Sequence, residues 1–204
     1  EVREEIIRWG KWVVNELKID GFRMDAVKHI KDEFIAEFLT QVRAVHGEKF
    51  YSVGEYWRND LEKLEEYLDN VGYKTDLFDV GLHFNMYDAS KKKQDYDLRE
   101  IFEHTIVATN PMAAVTFVDN HDSQKGSALE SQVENWFIPH SYAIILLSKD
   151  GYPCLFYGDY YGIGGEKSPH QWIIDKLLEI RRVYAYGEQI NYLDNPNVIA
   201  IQRT

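Results

Sequence analysis

The chain has 204 residues, 45% hydrophobic and 14% aromatic, enough to build a core for one domain, or for one domain and a piece of another. Its net charge of −11, from 23 basic and 34 acidic residues, disfavours nucleic acid, whose binding needs cations set against phosphates. No apolar run reaches membrane-spanning length, so no membrane partner is expected, and the lone Cys154 excludes an internal disulfide and reads as a small core residue of YPCLFY.

The first predicted element is a helix in EVREEIIRWGKWVVNELK, with Val2, Ile6, Trp9, Val13 and Leu17 on one face. It opens at Glu1 without a methionine, a cap or a signal peptide. The other end stops in strand-like sequence at Gln202–Arg203–Thr204, so the chain reads as cut from something longer. The compartment, secreted or cytoplasmic, is therefore open.

Strands are predicted to begin near Gly21, Phe50, Asp76, Ala114 and Pro153, with helices over 31–46, 60–69, 97–107, 131–148 and 169–185. The strand starts are 29, 26, 38 and 39 residues apart. A βαβ crossover takes about 30 residues or more, so the alternation predicts an α/β fold with parallel strands. No GxGxxG loop follows any of them, which lowers a doubly wound dinucleotide fold. Five such units read as part of a (β/α)8 TIM-type barrel, incomplete in this chain. Lys91–Lys92–Lys93 reads as a solvated loop. The last segment, INYLDNPNVIAIQRT, changes character to a β-hairpin around Asp194–Asn195–Pro196–Asn197. Residues 1–186 are thus assigned to the barrel and 187–204 to the start of a C-terminal β-domain.

Four of the strands end in acids, in GFRMDAVKH, YSVGEYW, LFDVG and VTFVDNHDS. A carboxylate just past a strand costs stability unless it is hydrated, paired or used. In a (β/α)8 barrel the active site lies at that end of the strands, so these acids are placed to converge. Arg23 and Asp25 are two apart and point to the same interior side. The guanidinium favours an ionised Asp25, as a nucleophile at a sugar carbon requires, although a structural ion pair explains the adjacency equally well. Glu55 is followed by Tyr56 and Trp57, whose rings partly desolvate it, as suits a general acid. Gly54 before it leaves room for a ligand or backbone. The competing reading is an exposed Glu that merely starts a loop. In VDNHDS, His121 can donate to a sugar hydroxyl, and Asp122 can hold hydroxyls and stabilise positive charge on a ring. A metal site or a plain Asp-Asn turn are the rivals, though zinc-type spacing and the EF-hand pattern are absent. Asp79 and Asp159 read as supporting or structural.

Taken together, GFRMDAVKH, GEYW and FVDNHD resemble, in order and spacing, three conserved regions of the α-amylase family, glycoside hydrolase family 13. The flanks EYWRNDLEKLEEYL, ESQVENWFIPHSYAIILL and GYPCLFYGDYYG are similar to bacterial liquefying and cytoplasmic α-amylases, over essentially the whole chain. The resemblance implies strands of about four to eight of the barrel, with the N-terminal half as a missing partner. It implies endo-hydrolysis of α-1,4 bonds in starch- or glycogen-type glucans, with retention. Asp25 would be the nucleophile, Glu55 the acid and then the base, and Asp122 the transition-state stabiliser, assisted by His121 and Arg23. Nucleophile and acid would stand about 5–5.5 Å apart. Lys28, Trp57 and Val80 would lie by the leaving-group side of the cleft. The His29 carbonyl would contribute to a structural calcium in the full-length parent, an ion that wants about 6–8 oxygens and cannot be held by His29 alone. The alternatives are a transglycosidase or α-glucosidase of the same family, or an inactive piece that needs its other half.

Overall fold

A computed structural model describes residues 1–204, and the chain divides into two units, Glu1–Phe78 and Asp79–Thr204. The first contains α1 (Val2–Leu17), β1 (Gly21–Met24), α2 (Asp32–His46), β2 (Tyr51–Gly54), α3 (Leu61–Asn70) and β3 (Asp76–Phe78). The three strands are parallel, in the order β1-β2-β3, with Gly21 opposite Tyr51, Met24 opposite Gly54 and Val53 opposite Asp76.

Helix α2 buries Ile35, Phe38, Leu39 and Val42, which recur at the spacing of one helical face. Asp32 and Glu33 stand in its first turn and Arg43 and His46 in its last, each matching the local end of the helix dipole. Arg43 also donates to the carbonyls of Phe50 at 3.0 Å and Lys74 at 2.7 Å, which ties the helix to the entries of the next two strands. Asp60 caps α3 by accepting from the Lys63 amide.

Helix α1 forms as expected, but its buried face is not the expected one. Gly10, Val13 and Val14 are buried, whereas Val2, Ile6, Trp9 and Leu17 are exposed. The reason is Gly10: a Cβ there would come within 2.4 Å of the Phe38 ring, so the missing side chain sets which face meets α2.

The second unit contains α4 (Val80–Lys92), α5 (Ile106–Thr109), β4 (Ala114–Phe117), α6 (Ile138–Leu147), β5 (Tyr152–Cys154) and α7 (Tyr157–Tyr161). It continues with β6 (Gly162–Ile163), β7 (Glu166–Lys167), α8 (Gln171–Tyr184), β8 (Gln189–Asn195) and β9 (Val198–Arg203). Strands β4 and β5 are parallel, with Val115 opposite Tyr152 and Phe117 opposite Cys154. All four β4 residues are buried, as in a strand covered on both faces. Pairs β6–β7 and β8–β9 are antiparallel. The latter is the expected terminal hairpin, joined to its unit where the Leu98 amide donates to the Pro196 carbonyl and Arg203 to that of Leu147.

Four local expectations are corrected. Residues 97–107 are not one helix: Asp97 caps a 3-10 turn over Leu98–Glu100 and Thr105 separately caps α5, with His104 between them at φ 56°. Two caps in eleven residues break the helix that the apolar spacing suggested. Residues 131–137 are also not helical. Their groups bond to the loop after β4, and α6 starts only at Ile138, with Pro139 in its first turn, where a missing N–H costs nothing. Lys91 and Lys92 are not an idle loop: they end α4 and pair with Glu134 and Asp88. Cys154 is half-buried rather than in the core. No helix is long and apolar enough to cross a membrane.

Candidate active site

Parallel pairing of β1 with β2 sets the ends of both strands side by side. The Glu55 amide donates to Met24 O at 2.8 Å, and the Val27 amide returns to Glu55 O at 3.0 Å. Between them Ala26 takes a left-handed φ of 49°, uncommon for a residue with a Cβ. That bend aims the Ala26 N–H at Glu55 Oε2, 3.2 Å away.

Arg23 joins the two carboxylates of this unit. Its Nη1 donates to Asp25 Oδ1 at 2.5 Å, and its Nη2 lies 3.0 Å from Glu55 Oε1, an ion pair whose alignment falls short of a hydrogen bond. Glu55 is 5% exposed, so it is no idle loop residue, whereas the Asp25 side chain is 69% exposed. Asp25 and Arg23 thus share one side, as their spacing implies. One carboxyl is buried and its neighbour is exposed. Gly54 serves packing and not ligand access: a Cβ there would meet Leu77 at 3.1 Å and Val27 at 3.2 Å.

Lys28 Nζ donates to the Trp57 carbonyl at 3.1 Å, so these two residues are also brought together. His29 is exposed and ends the 3-10 turn Val27–His29, whose first residue, Val27, is buried. Val80 is fully buried at the start of α4. The resemblance places it near the leaving-group side of the cleft; its side chain here has no accessible surface.

In the second unit, the loop leaving β4 carries His121 and Asp122, with His121 Nε2 at 3.3 Å from Asp122 Oδ2. Asn120 Oδ1 accepts from the amides of Asp122 at 2.8 Å and Ser123 at 2.7 Å, an Asx-type turn. The turn and the site reading are therefore compatible: the Asn side chain makes the turn and leaves the Asp122 carboxylate free of it.

Two acids behind this loop were not singled out as a pair by the sequence. Asp119 and Asp159 are both buried, and Asp159 Oδ2 accepts from the buried Tyr142 hydroxyl at 2.8 Å. Burial, and then the charge of Asp159, push the Asp119 carboxyl up to about 8. Burial likewise pushes Asp159 up to about 6, against the opposing bond from Tyr142. The available signal was an acid directly after the apolar run VTFV, where the chain has not yet left the core. Their effect on stability follows from the sign of the shifts. In the folded chain both groups keep a proton to higher pH than in the unfolded chain, so their contribution is full below about pH 4 and is lost as pH rises towards 8. Urea midpoints are expected to fall across that window. Asp159→Asn, which still accepts from Tyr142 and removes one charge, is expected to flatten the fall; an unchanged slope would refute the assignment.

Residues 1–185 match the family model described as alpha amylase, catalytic domain, and the chain belongs to the α-amylase family. It is 50% identical over 204 residues to a glucan 1,4-alpha-maltohexaosidase of Bacillus sp. strain 707, covering 100% of this chain and 39% of that protein. It is 44% identical to an alpha-amylase of Bacillus licheniformis and 42% identical to the cytoplasmic alpha-amylase of Escherichia coli K12, covering all of this chain and 40% and 43% of those proteins. Among solved structures, an Anoxybacillus alpha-amylase superposes with a TM-score of 0.74 over 100% of this chain and 49% of that one, at 24% identity. The chain thus spans about two fifths of the length of the curated relatives it matches. Its α/β fold is part of a (β/α)8 barrel.

The residues present do not make a calcium site. No group of three or more His, Cys, Asp or Glu side chains is arranged to hold a metal ion. The His29 carbonyl alone supplies one oxygen of the roughly 6–8 that calcium takes.

Proposed function

We propose that this chain is the second part of the catalytic barrel of an α-amylase-type retaining glycosidase acting on α-1,4-glucans. The observation that carries the reading is the Arg23–Asp25–Glu55 constellation, one exposed and one buried carboxylate on a shared guanidinium.

Asp25 Oδ attacks the anomeric carbon as the glucosidic bond breaks, and Glu55 gives its proton to the departing oxygen. Glu55 then takes a proton from water, which hydrolyses the glycosyl ester and restores the α configuration. Arg23 orients Asp25 through its Nη1. Asp122, with His121, holds sugar hydroxyls and offsets the positive charge that develops on the ring. Lys28 and Trp57 lie on the leaving-group side. The relatives' printed activities support a starch- or maltooligosaccharide-type substrate. The terminal hairpin, beyond the family match, is proposed to begin a β-domain.

Hydrolysis of soluble starch by the 204-residue chain alone is expected at background, because a partial barrel leaves strand edges and subsites incomplete. Joined behind the N-terminal segment of the Bacillus licheniformis relative, the same chain is expected to release a ladder of oligomers. Robust hydrolysis by the chain alone would overturn the proposal that it works only in a complete barrel. Release of single glucose units, or of lengthened chains, would instead assign an α-glucosidase or a transglycosidase.

A further inference from the structure

We infer that Asp119 is a positioning residue, whose buried carboxyl holds the loop that presents His121 and Asp122. This rests on the proposed role of Asp122. Asp119 is 2% exposed, and its Oδ1 accepts from the Ser123 hydroxyl at 2.7 Å. Its Oδ2 accepts from the Val133 amide at 3.2 Å. One carboxyl therefore grips the loop on both sides of its excursion, at residues 123 and 133.

The rest of the loop is fastened around that grip. The Ser131 amide donates to Ser123 O at 2.9 Å, and the Leu129 amide to Asp122 O at 3.2 Å. His83 stands 2.6 Å from the Val118 carbonyl and 2.9 Å from Ser131 Oγ, with its ring stacked on Phe117. Burial pushes His83 down to about 4, so its ring is neutral near pH 7. The Asp122 backbone is thus bonded at both N–H and C=O, and its carboxylate is left to face His121.

Neither Ser123 nor Val133 carries charge, so Asp119 is not here to neutralise a cation. A buried carboxyl held only by neutral donors costs stability relative to an apolar side chain. What it supplies is a double acceptor at one point, which no apolar residue can imitate. With or without its proton the carboxyl keeps a lone pair on each oxygen, whereas Asp119→Asn keeps the shape but puts an N–H₂, which cannot accept, in place of one of them.

The test is made in the completed enzyme described above. Asp119→Asn is expected to lower kcat by about 10²-fold, with KM changing by less than about threefold, because misplacement acts on the reacting geometry more than on ground-state binding. Ser123→Ala, a milder cut for the case in which Asp119→Asn fails to fold, is expected to lose about 10-fold in kcat, with Ser123→Thr restoring most of it. The double variant is expected to be no worse than Asp119→Asn alone, as befits one network. Unchanged kcat in either single variant, or losses that track only the folded fraction, would overturn the inference. If Asp122→Asn proves fully active, the role of Asp122 falls, and amide exchange decides the inference separately. Faster exchange at Asp122 and Ser123 in Asp119→Asn supports the grip, and unchanged exchange refutes it.

Discussion

Glu55→Gln is expected to lower kcat on soluble starch by about 10²–10⁴-fold in the completed enzyme, with little change in KM. The amide oxygen can still accept from the Ala26 N–H, 3.2 Å from Glu55 Oε2 in the native chain, so the local backbone need not move. What disappears is the proton for the departing glucosyl oxygen. A substrate whose leaving group departs as a stable anion does not need that proton. On an activated aryl maltooligoside the bond-breaking step in Glu55→Gln is therefore expected to recover much of its rate, read as a burst of the aryl product. Asp25→Asn removes the nucleophile itself and is expected to be inactive on both substrates. Equal loss on starch and on the aryl substrate in Glu55→Gln would remove Glu55 as the general acid. A burst in Asp25→Asn would remove Asp25 as the nucleophile.

Asp79→Ala is the substitution expected to cost most in stability. Asp79 is fully buried and accepts from the Leu82 amide at 3.1 Å, capping α4, and from the Val107 amide at 2.8 Å, in α5. Burial raises its carboxyl above the ordinary range, and the amides of Val107 and Leu82 oppose that rise. Truncation leaves two buried donors unmet, at about 1–3 kcal/mol each. A loss of roughly 2–6 kcal/mol in urea unfolding is therefore expected, which for a domain of ordinary stability approaches the whole. Asp79→Asn keeps one acceptor and is expected to lose less than half as much. An Ala variant within about 0.5 kcal/mol of the parent would show that these bonds form without net benefit.

The same residue shows how far the sequence could be read. LFDVG marked an acid at a strand end, and so did GFRMD, GEYW and VDNHD, but position alone does not separate a cap from a reacting group. Asp79 turned inward to the amides of α4 and α5, whereas Asp25 turned outward to Arg23. The difference lies in which donors the following backbone presents, and those come from residues up to 28 positions away.

Element order, the five strands and their starts to within about one residue, and the terminal hairpin were legible because they depend on local patterns of apolar and turn residues. So were Asp25, Glu55 and Asp122 as candidates, through three motifs in order. The length of α6, the breaks in 97–107 and the buried face of α1 were not legible, because caps and one Gly–Phe contact outweighed local preference. Nor was the environment of each acid: a side chain's burial and partners are set by segments far away in the chain. Parallel pairing of β1 with β2 places Arg23 between Asp25 and Glu55, and packing behind β4 encloses Asp119 with Asp159. Residue order carries the chemistry on offer here, and long-range packing sorts which carboxylates stay available and which become structural.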